Sequence, residues 1–176
     1  MKKYFLVVLV FLFSTLAWSG DLSKVNVLDG KASILTPAGF EPMPKDLLAM
    51  KYRSSRRPTE VLSDETGGVT LAFNHTNNAM NPSQVREAHS TISDMFHNMY
   101  PSAKWIRDEV IEQNGSTFMV MELVTPARDT KIHNIIYGTS VDGRFLLAAF
   151  NTTVQQAEEW LPVGREIMSS LSVDQN

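Results

Sequence analysis

Residues 105–151 restrict the possible folds more than any other part of the chain. Two turn pairs, Asn114-Gly115 and Asp142-Gly143, sit between strand-length apolar segments. Such pairs favour the type I′ hairpin turn, whose two central residues both need positive φ and whose twist matches the strands it joins. The first pair links Trp105–Gln113 to Ser116–Thr125, and the second links Lys131–Ser140 to Arg144–Asn151. Residues 126–130, opening on Pro126, turn the chain between them. Successive hairpins with short links predict an antiparallel meander. Phe118, Val120 and Val124 alternate with Met119, Met121 and Leu123, so this strand is apolar on both faces. A strand of that kind needs cover on both sides, which implies more than one packed layer.

Two helices flank the meander. Asn81 is a capping residue, Pro82 suits a first helical position, and Gln84 can reach back as in a capping box. Beyond it Val85, Ala88, Ile92, Met95, Phe96 and Met99 recur at steps of three and four, predicting one buried helix face that ends before Pro101. A second helix is expected from about Thr153, with Gln156 as its capping partner. Its predicted buried face is Ala157, Trp160, Leu161, Gly164, Ile167, Met168 and Leu171, with a kink at Pro162.

Earlier in the chain, residues 31–36 read as a strand and residues 44–52 as a short helix. Two further strands, 59–63 and 69–75, are joined by a turn at Gly67-Gly68. Residues 74–81, rich in asparagine, read as the polar connection between strand and helix, because asparagine bonds to nearby backbone and accepts unusual dihedrals. The order is strands, helix, meander, helix. The fold class is therefore α+β: an antiparallel sheet, hairpin plus meander, packed by a middle helix and a C-terminal helix.

The N-terminus speaks to compartment. Lys2 and Lys3 precede a nearly apolar run from Tyr4 to Phe13, and Ala17-Trp18-Ser19 offers small residues at the positions a signal peptidase reads. Residues 1–19 are expected to be a secretory signal peptide, too short in its apolar run to span a bilayer of about 20 helical residues. Residues 20–30 are expected to be a flexible lead-in, 31–173 a single domain, and 174–176 a tail. Cleavage removes two lysines from a chain whose formal charge is already −3, and the sequence has no cysteine. Disulfides, thiol chemistry and a lipid-modified cysteine are thereby excluded. A mildly acidic exported protein is a poor partner for nucleic acid or anionic membrane, and no stable membrane insertion is expected after cleavage. The expected location is the periplasm.

The opening Ile34-Leu35-Thr36-Pro37-Ala38-Gly39-Phe40, followed by the early hairpin, middle helix, meander and closing helix, resembles the PsbP-like fold, which includes periplasmic proteins of the DcrB kind. The resemblance covers residues 31–173 and implies a scaffold that works by binding other proteins. It carries no catalytic residue and names no partner.

No catalytic or metal-ligand pattern stands out. The histidines are His75, His89, His97 and His133, without His-Glu-x-x-His spacing. His89 and His97 lie about 12 Å apart along a helix, too far for two bonds of about 2 Å to one ion. Only folding can bring His75 and His133 together. There is no Gly-x-Ser-x-Gly elbow, and neither Asp108/Glu109 nor Glu158/Glu159 makes an acid–base couple, since adjacent residues diverge. No cofactor and no metal are expected.

Two features suit contact with a protein. The basic group Arg53, Arg56 and Arg57, beside Lys51, can meet an acidic partner through its guanidinium forks. Asn74, His75, Asn77, Asn78 and Met80 offer uncharged polar groups and one thioether in the 74–81 connection. The expected function is non-catalytic binding of another envelope or secreted protein. Two roles fit: an immunity protein that blocks a periplasm-targeted toxin, such as one delivered by type VI secretion, by occluding its active site, or an accessory subunit of an envelope complex. The alternatives are a carrier of a small apolar ligand held near Phe96, Met99 and Phe118, and a cryptic hydrolase.

Overall fold

The computed structural model describes residues 21–53 and 57–174. Residues 1–20, and with them the predicted signal peptide, lie outside the described part. So do residues 54–56, which include Arg56, and residues 175–176 of the predicted tail. No helix among the described residues is long and apolar enough to cross a membrane.

The chain runs β1 (Leu22–Val27), β2 (Ala32–Pro37), β3 (Glu41–Pro42), α1 (Lys45–Lys51), β4 (Glu60–Ser63), β5 (Thr70–Ala79), a 3₁₀ turn (Pro82–Gln84) and α2 (Val85–Met99). It continues with β6 (Lys104–Gln113), β7 (Ser116–Pro126), β8 (Lys131–Val141), β9 (Arg144–Thr153), α3 (Ala157–Ser170) and β10 (Ser172–Val173). Seven strands form an antiparallel sheet in the order β3-β4-β5-β9-β8-β7-β6, and a small sheet has the order β1-β2-β10. This is the expected α+β class, and the meander β6 to β9 is present. The predicted type I′ turn at Asn114-Gly115 has the required signs, φ 49° and 79°, and the connection at Asp142-Gly143 has the same signs, 50° and 68°.

The two faces of the large sheet carry separate cores. Phe118 and Val120 of β7, Ile135 and Tyr137 of β8, and Leu146, Ala148 and Phe150 of β9 pack against α3 and the small sheet. On the other face Met119 and Phe145 pack under the start of α2, and Met121, Leu123 and Ile136 under its later turns with Phe96. A third group, Met43, Val61 and Ala72, is covered by Leu47, Leu48 and Tyr52, which places α1 over β4 and β5. α3 lies close on β9: a Cβ built at Gly164 would stand 2.4 Å from the Phe150 ring. The absent side chain at Gly164 is what lets helix and strand approach.

Several expectations are corrected. Residues 20–30 were expected to be loose, but β1 pairs along its whole length with β2, from Leu22 opposite Pro37 to Val27 opposite Ala32. Val27 and Leu28 are buried, and Glu60 accepts the Leu28 N–H at 2.9 Å. The segment Leu22–Val27 is largely polar and shows no apolar alternation, so its strand state comes from pairing with β2. Residues 74–79 are not a connection but the outer half of β5, paired with β9 from Asn74 opposite Leu147 to Ala79 opposite Arg144, with an irregularity after His75. Backbone pairing with β9 outweighs the low strand preference of asparagine, which depends on context. The capping prediction holds at the predicted residues: Asn81 precedes the 3₁₀ turn at Pro82–Gln84, and Gln84 Oε1 accepts the Asn81 N–H at 2.9 Å. Met95 and Met99, expected on the buried face of α2, are 46 % and 55 % exposed. α3 begins at Ala157, because Thr153 is still in β9, and runs through Pro162 without ending.

Candidate docking surface

The two faces of the large sheet are covered unequally. Toward α3, the β9 residues Leu146, Ala148 and Phe150 are fully buried. Toward α2, Leu147, Ala149 and Asn151 of the same strand are half-buried. α2 packs on β7, with its flanks on β6 and β8, while α1 lies over β4 and β5. β9 falls between them: Phe145 at its start is buried under α2, while Leu147, Ala149 and Asn151 farther along are left half-buried. Its register brings Asn74 beside Leu147, Ala72 beside Ala149, and Thr70 and Asn134 beside Asn151. These residues floor a trough.

One wall is α2. At 100° per residue, Ser93 and His97 lie roughly 60–100° from Phe96 on one side of the helix, and Met99 and Met95 lie as far round on the other. Ser93 and His97 face β6, where Ser93 bonds Asp108 and His97 stacks on Trp105 at 3.8 Å. Met95 and Met99 therefore line the opposite flank, above the trough, on the side of Ile92, which packs against the same two core clusters as Leu147. The other wall is α1 and Tyr52. Tyr52 bonds Thr70, which accepts from the Asn151 amide at 3.1 Å. Burial pushes the Tyr52 hydroxyl pKa up, against the lowering effect of the Thr70 bond.

The predicted contact residues do not form one patch. Asn74 joins the trough floor. His75 points to the other face: its Nε2 donates to the Val141 carbonyl at 2.9 Å, and its Nδ1 accepts from Arg144 at 3.2 Å. Arg144 also donates to Asn77 at 3.3 Å, so His75 and Asn77 are joined through it at the β5–β9 end. Asn78 is exposed. Met80, expected to be open to contact, is only 9 % exposed and packs with Val85, Met119 and Phe145. Arg53 turns back on the Met50 carbonyl at 3.4 Å, and Arg57 is exposed. Arg53 follows Tyr52, which holds Thr70, while Arg57 precedes Thr59, whose hydroxyl accepts the His75 N–H at 3.0 Å. The two described arginines thus bracket the α1 side of the trough, near its two ends.

Two polar clusters bear on chemistry. Asp108 accepts from His89 at 2.8 Å and from Ser93, and His97 lies 3.5 Å away. The serine hydroxyl is committed to the carboxylate rather than to an imidazole, so the cluster does not activate a nucleophile. It ties α2 to β6. His75 and His133 do not meet, since their partners on β9, Leu146 and Thr152, stand six residues apart, roughly 20 Å along a strand.

The second cluster was missed from sequence. Glu122 of β7 is 0 % exposed, and its Oε1 accepts from His133 at 2.8 Å and from Arg165 of α3 at 2.7 Å. Its Oε2 is buried without a hydrogen-bond partner. Burial pushes the Glu122 carboxyl up, but the hydrogen bonds and charges of Arg165 and His133 outweigh it and hold the pKa below the usual carboxylate value. The signal was present as a lone acid on the Phe118-Val120-Val124 face. Phe96 and Phe118, suggested for a carrier pocket, are core residues.

No protein-family model matches this sequence, and no curated protein matches it. Solved structures do. Cyanobacterial PsbP (CyanoP) from Synechocystis sp. PCC 6803 is 13 % identical, with a TM-score of 0.61 over 88 % of this chain and 94 % of that one. The Saccharomyces cerevisiae Ran-binding protein Mog1p is 11 % identical, with a TM-score of 0.54 over 88 % of this chain and 96 % of that one. LpqN of Mycobacterium tuberculosis, involved in cell envelope biogenesis, is 10 % identical, with a TM-score of 0.51 over 88 % and 91 %. The fold is PsbP-like.

Proposed function

We propose that this chain is a non-catalytic, periplasmic protein-binding module that grips another envelope or secreted protein through the open face of its sheet. The observation that carries the proposal is the trough over β9: one sheet face is sealed by α3 and the small sheet, while the other leaves apolar and amide groups half-exposed between two helices. A contiguous partly apolar surface rimmed by polar groups is characteristic of interaction sites. The yeast neighbour of this fold is a Ran-binding protein, so the scaffold is one that holds a protein partner. The leader predicted at residues 1–19 supports export. In its most specific form the proposal is an immunity-type inhibitor that lays this face over the catalytic cleft of a toxin delivered to the periplasm and blocks it sterically.

The test is chemical cross-linking in the periplasm, followed by purification and native mass spectrometry. A stoichiometric protein partner supports the reading. A bound small molecule without a protein partner replaces it with the carrier, and multiple turnover of an envelope substrate by the purified protein removes it. Protection of cells from a toxin encoded beside this gene, lost on its deletion, separates the inhibitor from an accessory subunit.

A further inference from the structure

The trough has a width that can be worked out. α2 sits over β7, and α1 over β4 and β5. In the order β4-β5-β9-β8-β7, the midline of β4 and β5 is three and a half strand spacings from β7. At about 4.8 Å per spacing, the two helix axes stand roughly 17 Å apart on the sheet. Helices pack at about 8–10 Å between axes, so two helices flanking a third stand about 16–20 Å apart. The space over β9 is one helix wide. Directly packed neighbours would stand at half that separation, and a strand about 4.8 Å wide laid between them would leave part of the width unfilled.

The lining is graded. The floor is low and uncharged: Ala149, Leu147 and the side chains of Asn74 and Asn151. The α2 wall presents Met95 and Met99, whose unbranched thioethers adapt to varied apolar surfaces. The α1 wall ends in Tyr52 and is flanked by Arg53 and Arg57. The slot thus has an uncharged floor, half apolar and half amide, an apolar α2 side, and exposed arginines beside its α1 side.

We infer that this slot takes one amphipathic helix of a partner protein, apolar along the side that meets Leu147, Ala149, Met95 and Met99, and acidic along the edge that meets Arg53 and Arg57. This is recognition by helix in groove, read through anchors at steps of three and four. The inference rests on the protein-binding reading above and adds the shape and charge of what is bound.

The experiment uses the exported protein purified from a bacterial periplasm and three synthetic peptides of about four helical turns. Two share a leucine and alanine helical face and carry glutamates or lysines along one flank. The third has the composition of the acidic peptide in strict alternation, which favours a strand. Methyl NMR follows Met95, Met99, Leu147 and Ala149, and titration gives affinities. The acidic helical peptide is expected to shift these four residues together and to bind at least tenfold more tightly than the other two. Met95→Lys, on an exposed helix flank, and Ala149→Lys each weaken it at least tenfold. Arg53→Glu with Arg57→Glu abolishes the preference for the acidic peptide.

Shifts centred elsewhere, equal binding of the acidic and basic peptides, preference for the alternating peptide, or no shift of the four residues overturns the inference. So does evidence that residues 1–20 of the chain itself fill the slot, read as loss of these shifts when the leader is retained. The two proposals fail differently. A cross-linked partner whose binding ignores Met95→Lys and Ala149→Lys removes the slot and keeps the binding module, whereas recovery of no protein partner removes the module.

Discussion

Replacing Glu122 by Gln keeps the shape of the side chain and removes its charge. In the wild-type protein one oxygen of this fully buried carboxylate holds both His133 and Arg165, and so pins α3 to β7 and β8. Removing one partner of a buried ion pair costs about 3–5 kcal/mol when the other is left stranded. Arg165 is 48 % exposed and can turn back to water, whereas the His133 side chain, 8 % exposed, cannot. The expected loss is therefore below that range, about 2–3 kcal/mol. For a domain of this size it lowers the melting temperature by about 4–12 °C. The pH dependence carries the sharper test. Because the folded-state pKa of Glu122 is depressed, the unfolded chain binds the proton more readily than the folded one. The stabilisation is fully present above the unfolded glutamate pKa of about 4.3 and is lost as pH falls through the lower folded value. Urea unfolding of wild type and Glu122→Gln, followed by circular dichroism at steps from neutral to strongly acid pH, measures both effects. The two stability curves are expected to converge as the pH drops. A variant within 0.5 kcal/mol of wild type at neutral pH, or a constant gap between the curves at every acid pH, would refute the reasoning.

Three further outcomes are expected. Gly164→Ala places a methyl 2.4–2.8 Å from three atoms of the Phe150 ring, and the overpacking is expected to cost about 1–3 kcal/mol in urea unfolding. Asn114→Ala removes amide bonds to the Ser169 and Leu171 carbonyls, at 3.3 and 2.9 Å, and strains a left-handed turn position, so a loss of about 1–2 kcal/mol is expected from the same measurement. Asp142 is held below its usual pKa by the Lys31 hydrogen bond and charge. An NMR titration should find that carboxyl depressed in wild type and raised toward the ordinary value in Lys31→Ala.

Local chemistry settled much of this fold before any tertiary contact was considered. The pairs Asn114-Gly115 and Asp142-Gly143 demand positive φ in sequence and have it in space, so the meander was legible at its turns. The two apolar faces of residues 116–125 announced a layer on each side of the sheet, and both cores are present. The helix periods of α2 and α3 came from spacing alone. β1 was not legible. Its six residues are held as a strand by pairing with β2. The asparagine run was misread as a connection because local preference favours turns, while pairing with β9 across about seventy residues holds Asn74 and its neighbours in a strand.

The candidate site divides along the same line. Composition and turn chemistry marked Asn74, His75 and the arginines as polar groups available for contact, but a sequence does not say which face of a sheet each meets. Register does. Because side chains alternate along a strand, Asn74 falls on the trough floor and His75 on the opposite face, and Met80 is carried inward to the core. The sequence by itself determined the strands, the turns and the two-sided core, since these follow from dihedral preference and the spacing of apolar residues along the chain. Only the tertiary structure decided that α1 and α2 stand one helix apart over β9. That distance depends on strand order, and strand order is set by contacts between residues far apart in the chain.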